Sequence, residues 1–135
     1  MSNQTKLVNK LNENEISYQV IGAAIELHKL YGPGLLESAW EFALAEDLRT
    51  IGFEVEQQVG LPFYHKGQKL EVGYRLDLLI NKKVIVELKS VETVTDVHKA
   101  QLLTYLKLSK LKLGLLINFN SVLLKDNITR FVNGL

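Results

Sequence analysis

The chain contains no cysteine. Disulfides and thiolate metal sites are therefore excluded, and any bound metal must sit on carboxylates, histidines, carbonyls and water. Such donors favour hard cations such as magnesium. Long apolar runs are missing too: no stretch approaches the roughly 18 uninterrupted apolar residues of a membrane span. The opening MSNQTKLVNKLNENEIS is polar and has no apolar signal core. A cytoplasmic protein without a membrane partner is the expectation. There is no repeat, linker or low-complexity segment, so the 135 residues read as one domain, long enough to bury roughly 65–70% of the unfolded surface. Residues 1–12 are expected to form a flexible N-terminal tail. With 47% hydrophobic and 23% charged residues, the composition is that of a folded protein rather than a disordered one.

Net charge is also scarce, at +1, but it is unevenly spread. Residues 1–60 carry four Lys/Arg against nine Asp/Glu, and residues 61–135 carry twelve against six. This asymmetry fits a basic surface for an acidic polymer beside a carboxylate cluster. It fits two solvated faces equally well.

Apolar residues recur at three- and four-residue steps over 13–31 (Ile16, Val20, Ala23, Ala24, Leu27, Tyr31), which predicts an amphipathic helix ended by the GPG at 32–34. A second helix is expected from Leu35 to Ile51, with Leu36, Ala39, Trp40, Ala43 and Leu48 facing the core and Gly52 closing it. From Phe53 onward the pattern becomes extended: EVEQQV, LPFYH, a turn at Lys66-Gly67, KLEV, GYRLDLLI, a turn at Asn81-Lys82-Lys83, and VIVELKS. Helical spacing returns over 94–109. KLGLLINFN at 112–120 reads as a buried strand, and the tail from Leu123 as a last strand or short helix. The coarse order is ααββββαβ, a mixed α/β layer fold.

Within this frame, the polar residues of two strands stand out. Strand alternation puts Ile85, Glu87 and Lys89 on one face of VIVELKS, and groups Arg75, Asp77 and Leu79 in GYRLDLLI. If the two strands form a hairpin pairing Ile80 with Val84, Asp77 falls opposite Glu87. Facing carboxylates repel unless a proton or cation intervenes, and a divalent metal resolves the conflict. Lys89 beside them can offset charge on a phosphate or help activate water. A register two residues different pairs Asp77 with Lys89 in a plain salt bridge, and spacing alone leaves both open.

Asp77 followed by Glu87-Leu88-Lys89 on the next strand resembles the signature of the PD-(D/E)xK nuclease superfamily. GPGLLESAW at 32–40, YRLDLLI at 74–80, VIVELKSVE at 84–92 and HKAQLLTYLK at 98–107 resemble the successive blocks of the small bacterial and archaeal GxxExxY proteins, over nearly the whole chain. One departure is plain: Trp40 stands where that family has tyrosine.

The resemblance implies a restriction-endonuclease-like core, a mixed β-sheet flanked by helices with two helices leading. It implies a magnesium or manganese site built from Asp77, Glu87, the Leu88 carbonyl and the early-helix Glu37. Without the resemblance, Glu37 is simply a first-turn carboxylate suited to the helix dipole. Lys89 would assist the attacking water. Gln101 and Tyr105 match a Q-x-x-x-Y element found after the E-x-K strand in related nucleases and would position phosphate or lysine; four-residue spacing suits a helix–sheet contact just as well. His28 and His98 stay outside the expected ligand set. The implied activity is phosphodiester hydrolysis in nucleic acid, DNA being expected, leaving a 5′-phosphate and a 3′-hydroxyl, with a homodimer as a possible assembly. The rivals are a nucleic-acid-binding domain that has lost turnover, through the change at Trp40, and a protein-interaction module.

Overall fold

The computed structural model describes residues 7–135. Helix α1 (Glu13–Tyr31) begins with a reciprocal cap in which Asn12 Oδ1 accepts from the Glu15 N–H (2.8 Å) and Glu15 Oε1 accepts from the Asn12 N–H (3.1 Å). It ends at Gly32, whose φ of +73° is one that L side chains rarely adopt. After a 3₁₀ turn at Gly32–Gly34, helix α2 runs from Glu37 to Ile51. It buries Trp40, Leu44, Ala45 and Leu48. Leu36, expected in the core, is 76% exposed. It is the N-cap, with extended backbone angles (φ −64°, ψ 151°), so it lies outside the helical stripe.

The extended segments run together into longer strands than their turn residues suggested. Strand β1 spans Val55–His65, β2 Gln68–Ile80 and β3 Val84–Lys89. Helix α3 (Asp96–Ser109), strand β4 (Leu113–Asn118), a 3₁₀ turn at Leu124–Asn127 and strand β5 (Ile128–Val132) complete the chain. The order is ααβββαββ, and the tail from Leu123 supplies both a short helical turn and a strand. Among the described residues, the strands form one five-stranded sheet in sequence order, β1-β2-β3-β4-β5. Only β3 and β4 pair parallel, with α3 as the crossover that a parallel pair requires.

Apolar clusters cover both faces of the sheet. On one, α1 and α2 pack Ile16, Val20, Trp40 and Leu44 against Leu78, Val86, Leu88 and Leu115. On the other, α3 packs Leu102, Tyr105 and Leu106 against Leu61, Leu76, Ile85 and Leu116. Each fully buried large side chain contributes roughly 1.5–3 kcal/mol by leaving water. Close packing of α3 depends on Gly114, where an added Cβ would sit 2.8 Å from Leu102 Cδ1.

Of the expected tail, residues 1–6 lie outside the described part. Over the rest, Val8 is buried, its carbonyl accepts from Asn81 Nδ2 (3.0 Å), and the Leu11 carbonyl accepts from Lys83 Nζ (2.9 Å). Val8 and Leu11 thus contact the β2–β3 turn through their carbonyls.

Candidate active site

The β2–β3 hairpin decides which polar groups meet. Asn81 and Lys82 both have left-handed φ (+51° and +55°), the geometry of a tight turn matched to strand twist. The Asn81 side chain also accepts from the Glu54 N–H at 2.9 Å, tying the turn to the start of β1. The resulting register pairs Ile80 with Val84, Leu79 with Ile85 and Leu78 with Val86. Backbone pairing stops there, one residue short of Asp77 and Glu87. Side chains continue it: Asp77 Oδ2 accepts from the Leu88 N–H at 2.9 Å, and the Asp77 and Glu87 carboxyls are near enough for each to bear on the other's charge. The register that would pair Asp77 with Lys89 is thereby excluded. Among the described residues, the ion pairs are Lys29–Glu26, Arg49–Glu46 and Lys69–Glu71, none at this site.

Opposite Asp77 on β1 stands Gln58, with a left-handed φ of +51°, where regular pairing with β2 is interrupted. Leu78 and Ile80 pack in the α1/α2 cluster but Leu76 packs in the α3 cluster. Strict alternation along β2 therefore breaks at Asp77, so Arg75 cannot be placed on the Asp77 face by counting alone.

Glu87 is buried, and burial pushes its carboxyl up to about 10, with the hydrogen bond and charge of Asp77 adding to the rise and Lys89 opposing it. Among the described residues, its Oε1 has no hydrogen-bond partner. A buried, unsatisfied carboxylate oxygen next to a second carboxylate is costly without a proton or a cation. Glu37, in the first turn of α2, is raised by partial burial, lowered by Lys89 and raised again by Asp77; its carboxyl also accepts from the Ser90 backbone. Glu37, Asp77, Glu87 and Lys89 thus form one electrostatic group drawn from α2, β2 and β3.

Tyr105, on α3, is buried, and its hydroxyl is raised to about 12 by burial and by the charges of Glu87 and Asp77, with a hydrogen bond to Gln101 opposing. Gln101 itself is exposed, and Val97, which extends their line, is 76% exposed. Leu88, the expected carbonyl ligand, points its side chain into the α1/α2 core. The loop after β3 is held by buried Asn118, which accepts from the Val91 N–H (3.1 Å) and donates to the Val91 carbonyl (2.9 Å).

The histidines lie elsewhere. His98 is the N3 residue of the α3 cap, its Nδ1 accepting from the Thr95 N–H at 3.1 Å. His28 is buried against Trp40 (centroids 5.9 Å apart) and Phe119 (6.4 Å). Trp40 is fully buried and stacked on Phe119 at 4.3 Å, so the position expected to carry a tyrosine belongs to the aromatic core.

Two residues escaped sequence reasoning. Glu41, one turn after Glu37, accepts from the Gln57 and Gln58 side chains (3.1 and 2.5 Å), and Gln58 Nε2 also reaches Asp77 Oδ1 at 3.4 Å. Glu37, Ser38, Glu41, Gln58 and Asp77 line one open cleft. The four-residue step from Glu37 to Glu41 was the available signal, but its meaning required knowing that α2 crosses β1.

A family model described as the PD-(D/E)XK nuclease superfamily matches residues 14–131. The chain belongs to that superfamily, and its mixed α/β architecture agrees with the superfamily's fold. Comparison with curated proteins gives no match, and comparison with solved structures gives none.

The donors present suit a hard cation: the acidic side chains offer only oxygen, and the orphaned Glu87 oxygen lacks the positive partner that its burial demands. Among the described residues, no group of three or more His, Cys, Asp or Glu is gathered closely enough to hold an ion alone.

Proposed function

We propose that the protein is a divalent-metal-dependent phosphodiesterase acting on nucleic acid, DNA being the expected substrate. The observation that carries this reading is the contact between Asp77 and buried Glu87 on adjacent strands, with Lys89 on the Glu87 face. Asp77, Glu87 and the Leu88 carbonyl would hold magnesium or manganese, with Glu37 contributing directly or through water. Such an ion, when bound, supplies an acidified water and neutralises phosphate charge.

The protein's own groups have separable tasks. Lys89 orients the attacking water and offsets negative charge developing on the phosphate. Tyr105 remains protonated at neutral pH, since its hydroxyl is raised to about 12, and so serves as a donor toward phosphate or the carboxylates, with Gln101 orienting it. Glu41 and Gln58 hold Asp77 from the α2 side.

The test is cleavage of a panel of single-stranded, duplex, branched and RNA substrates. Activity should need magnesium or manganese and stop in EDTA or calcium. Calorimetry with manganese on wild type and Asp77→Ala probes the site directly, and equal binding by both proteins would remove the metal-site reading.

A nucleic-acid-binding domain without turnover is the second reading, favoured by the lack of a gathered three-ligand cluster among the described residues. Retention of nucleic acid with metal bound and no substrate cut would select it.

A further inference from the structure

The β1–β2 hairpin is much longer than the sheet to which it belongs. Strand β3 pairs with β2 over Leu78–Ile80, so among the described residues the two strands pair only with each other from Gly60 and Arg75 outward. The projecting arm, 61–75, carries Lys66, Lys69 and Arg75 together with His65, against a single acid, Glu71. That acid lies 3.8 Å from Lys69 in an exposed pair, which contributes little. Tyr64 and Tyr74 are 59% and 41% exposed. The arm is therefore cationic and aromatic, in a protein whose other half is acidic.

A cavity of about 520 Å³ lies on this arm, lined in part by Gly60, Leu61, Pro62, Lys69, Tyr74 and Arg75. The backbone shapes it. Pairing slips between Leu61 and Phe63, and at Gly73 an added Cβ would sit 2.5 Å from the Leu61 carbonyl oxygen, so the strands approach there as only glycine permits. At Gly60 a Cβ would meet nothing within 4 Å, so glycine leaves that part of the lining open.

The cavity adjoins the candidate active site. The Tyr74 ring is 5.7 Å from that of Tyr105, which is buried among the charges of Glu87 and Asp77. Tyr74 precedes Asp77 by three residues on β2, about 10 Å along the strand.

We propose that this arm is a single-strand grip, in which Tyr74 stacks on an unpaired base while Arg75 and Lys69 hold the neighbouring phosphates. The proposal rests on the phosphodiesterase reading for its biological sense and narrows the substrate to nucleic acid with an unpaired segment at the scissile position. The physical reason is that a flat ring with an exposed face gains stacking only from a base already out of a duplex, whereas lysine and arginine grip any backbone. A duplex hides its base faces and offers Tyr74 nothing.

Fluorescence anisotropy decides it, with a short labelled oligothymidylate and a blunt duplex of equal length, in EDTA and in calcium. Wild type should bind the single strand and hold the duplex more weakly. Tyr74→Ala should lose about 10-fold or more in single-strand affinity, Tyr74→Phe should bind like wild type, and Arg75→Ala should flatten the salt dependence. If thermal melting shows Tyr74→Ala to be unfolded, Tyr74→Leu, which keeps the apolar bulk without a flat ring, takes its place with the same expectation. Unchanged binding by a folded Ala or Leu variant, or equal affinity for the duplex, overturns the grip. So does light scattering that reveals a dimer dissociated by the Tyr74 change, which would assign the arm to a second copy of the chain. Single-strand binding that depends on Tyr74 without cleavage of any substrate would leave the grip standing and remove the phosphodiesterase reading.

Discussion

Asp77 Oδ2 accepts a hydrogen bond of 2.9 Å from the backbone N–H of Leu88, the residue between Glu87 and Lys89. The carboxylate proposed to hold metal thus also closes the β2–β3 hairpin where backbone pairing ends. The two roles can be separated. Asp77→Ala leaves the buried Leu88 N–H without a partner, which costs about 1–3 kcal/mol, whereas Asp77→Asn keeps an acceptor oxygen and removes only charge. We expect both variants to lose manganese binding by calorimetry. Thermal melting should show the Ala variant clearly destabilised and the Asn variant close to wild type. A fully stable Ala variant would mean that the Leu88 bond contributes nothing.

The raised Glu87 carboxyl makes a prediction about pH. In the metal-free folded protein Glu87 keeps its proton up to about 10, while in the unfolded chain it ionises near the ordinary 4.5. The folded state therefore binds more protons over that interval, and its stability must fall as pH rises through it. Glu37, shifted in the same direction, adds to this slope. Glu87→Gln should be more stable than wild type at neutral pH without metal and show a flatter stability profile. Denaturant titrations across this range, in EDTA, give the comparison. Wild-type stability that rises with pH through the interval would contradict the burial of a protonated Glu87.

Divalent metal should reverse that relation, because a cation takes the place of the proton near Asp77 and Glu87. Manganese affinity should increase with pH, and binding should release protons, read by calorimetry in buffers of different ionisation enthalpy. Chelation should return the pH profile to that of the metal-free protein.

Lys89 offers a cleaner separation of binding from chemistry. It is partly exposed and makes no ion pair among the described residues, so Lys89→Met should fold and bind manganese like wild type. Cleavage should fall by about 100-fold or more, the scale for loss of a positioned acid, base or charge in a reaction site. Normal cleavage by this variant would make Lys89 structural.

The central pair was legible in the sequence because both of its determinants are local. The turn at Asn81-Lys82 sets the register, and alternation over VIVELK sets the face of Glu87. What lay beyond was tertiary. Leu76 packs on the α3 side although Leu78 and Ile80 pack on the other, a break facing the left-handed Gln58 that period-two counting does not anticipate. Glu41 and Gln58 meet only because α2 crosses β1, and the fusion of four short extended segments into two long strands follows from pairing along the whole arm. Leu36 matches the helical stripe in spacing but is the N-cap, where the backbone is extended, so its side chain leaves the core.

Trp40, where a resemblance to the GxxExxY proteins would place a tyrosine, gives the last prediction. Its ring lies in the core, fully buried, stacked on Phe119 at 4.3 Å with His28 at 5.9 Å and Tyr31 edge-on at 6.4 Å. Its indole N–H and His28 Nε2 are both buried without hydrogen-bond partners among the described residues. A tyrosine here would be smaller and would exchange the indole N–H for a hydroxyl, so Trp40→Tyr should destabilise by about 1–3 kcal/mol through lost packing against Phe119 and His28. Glu37 faces Lys89 and Ser90 rather than this cluster, so the same change should leave manganese affinity and cleavage as they are. Melting temperature and cleavage rate measured side by side separate the two effects. A Trp40→Tyr protein that gained cleavage without losing stability would show that position 40 acts on the site and not merely beneath it.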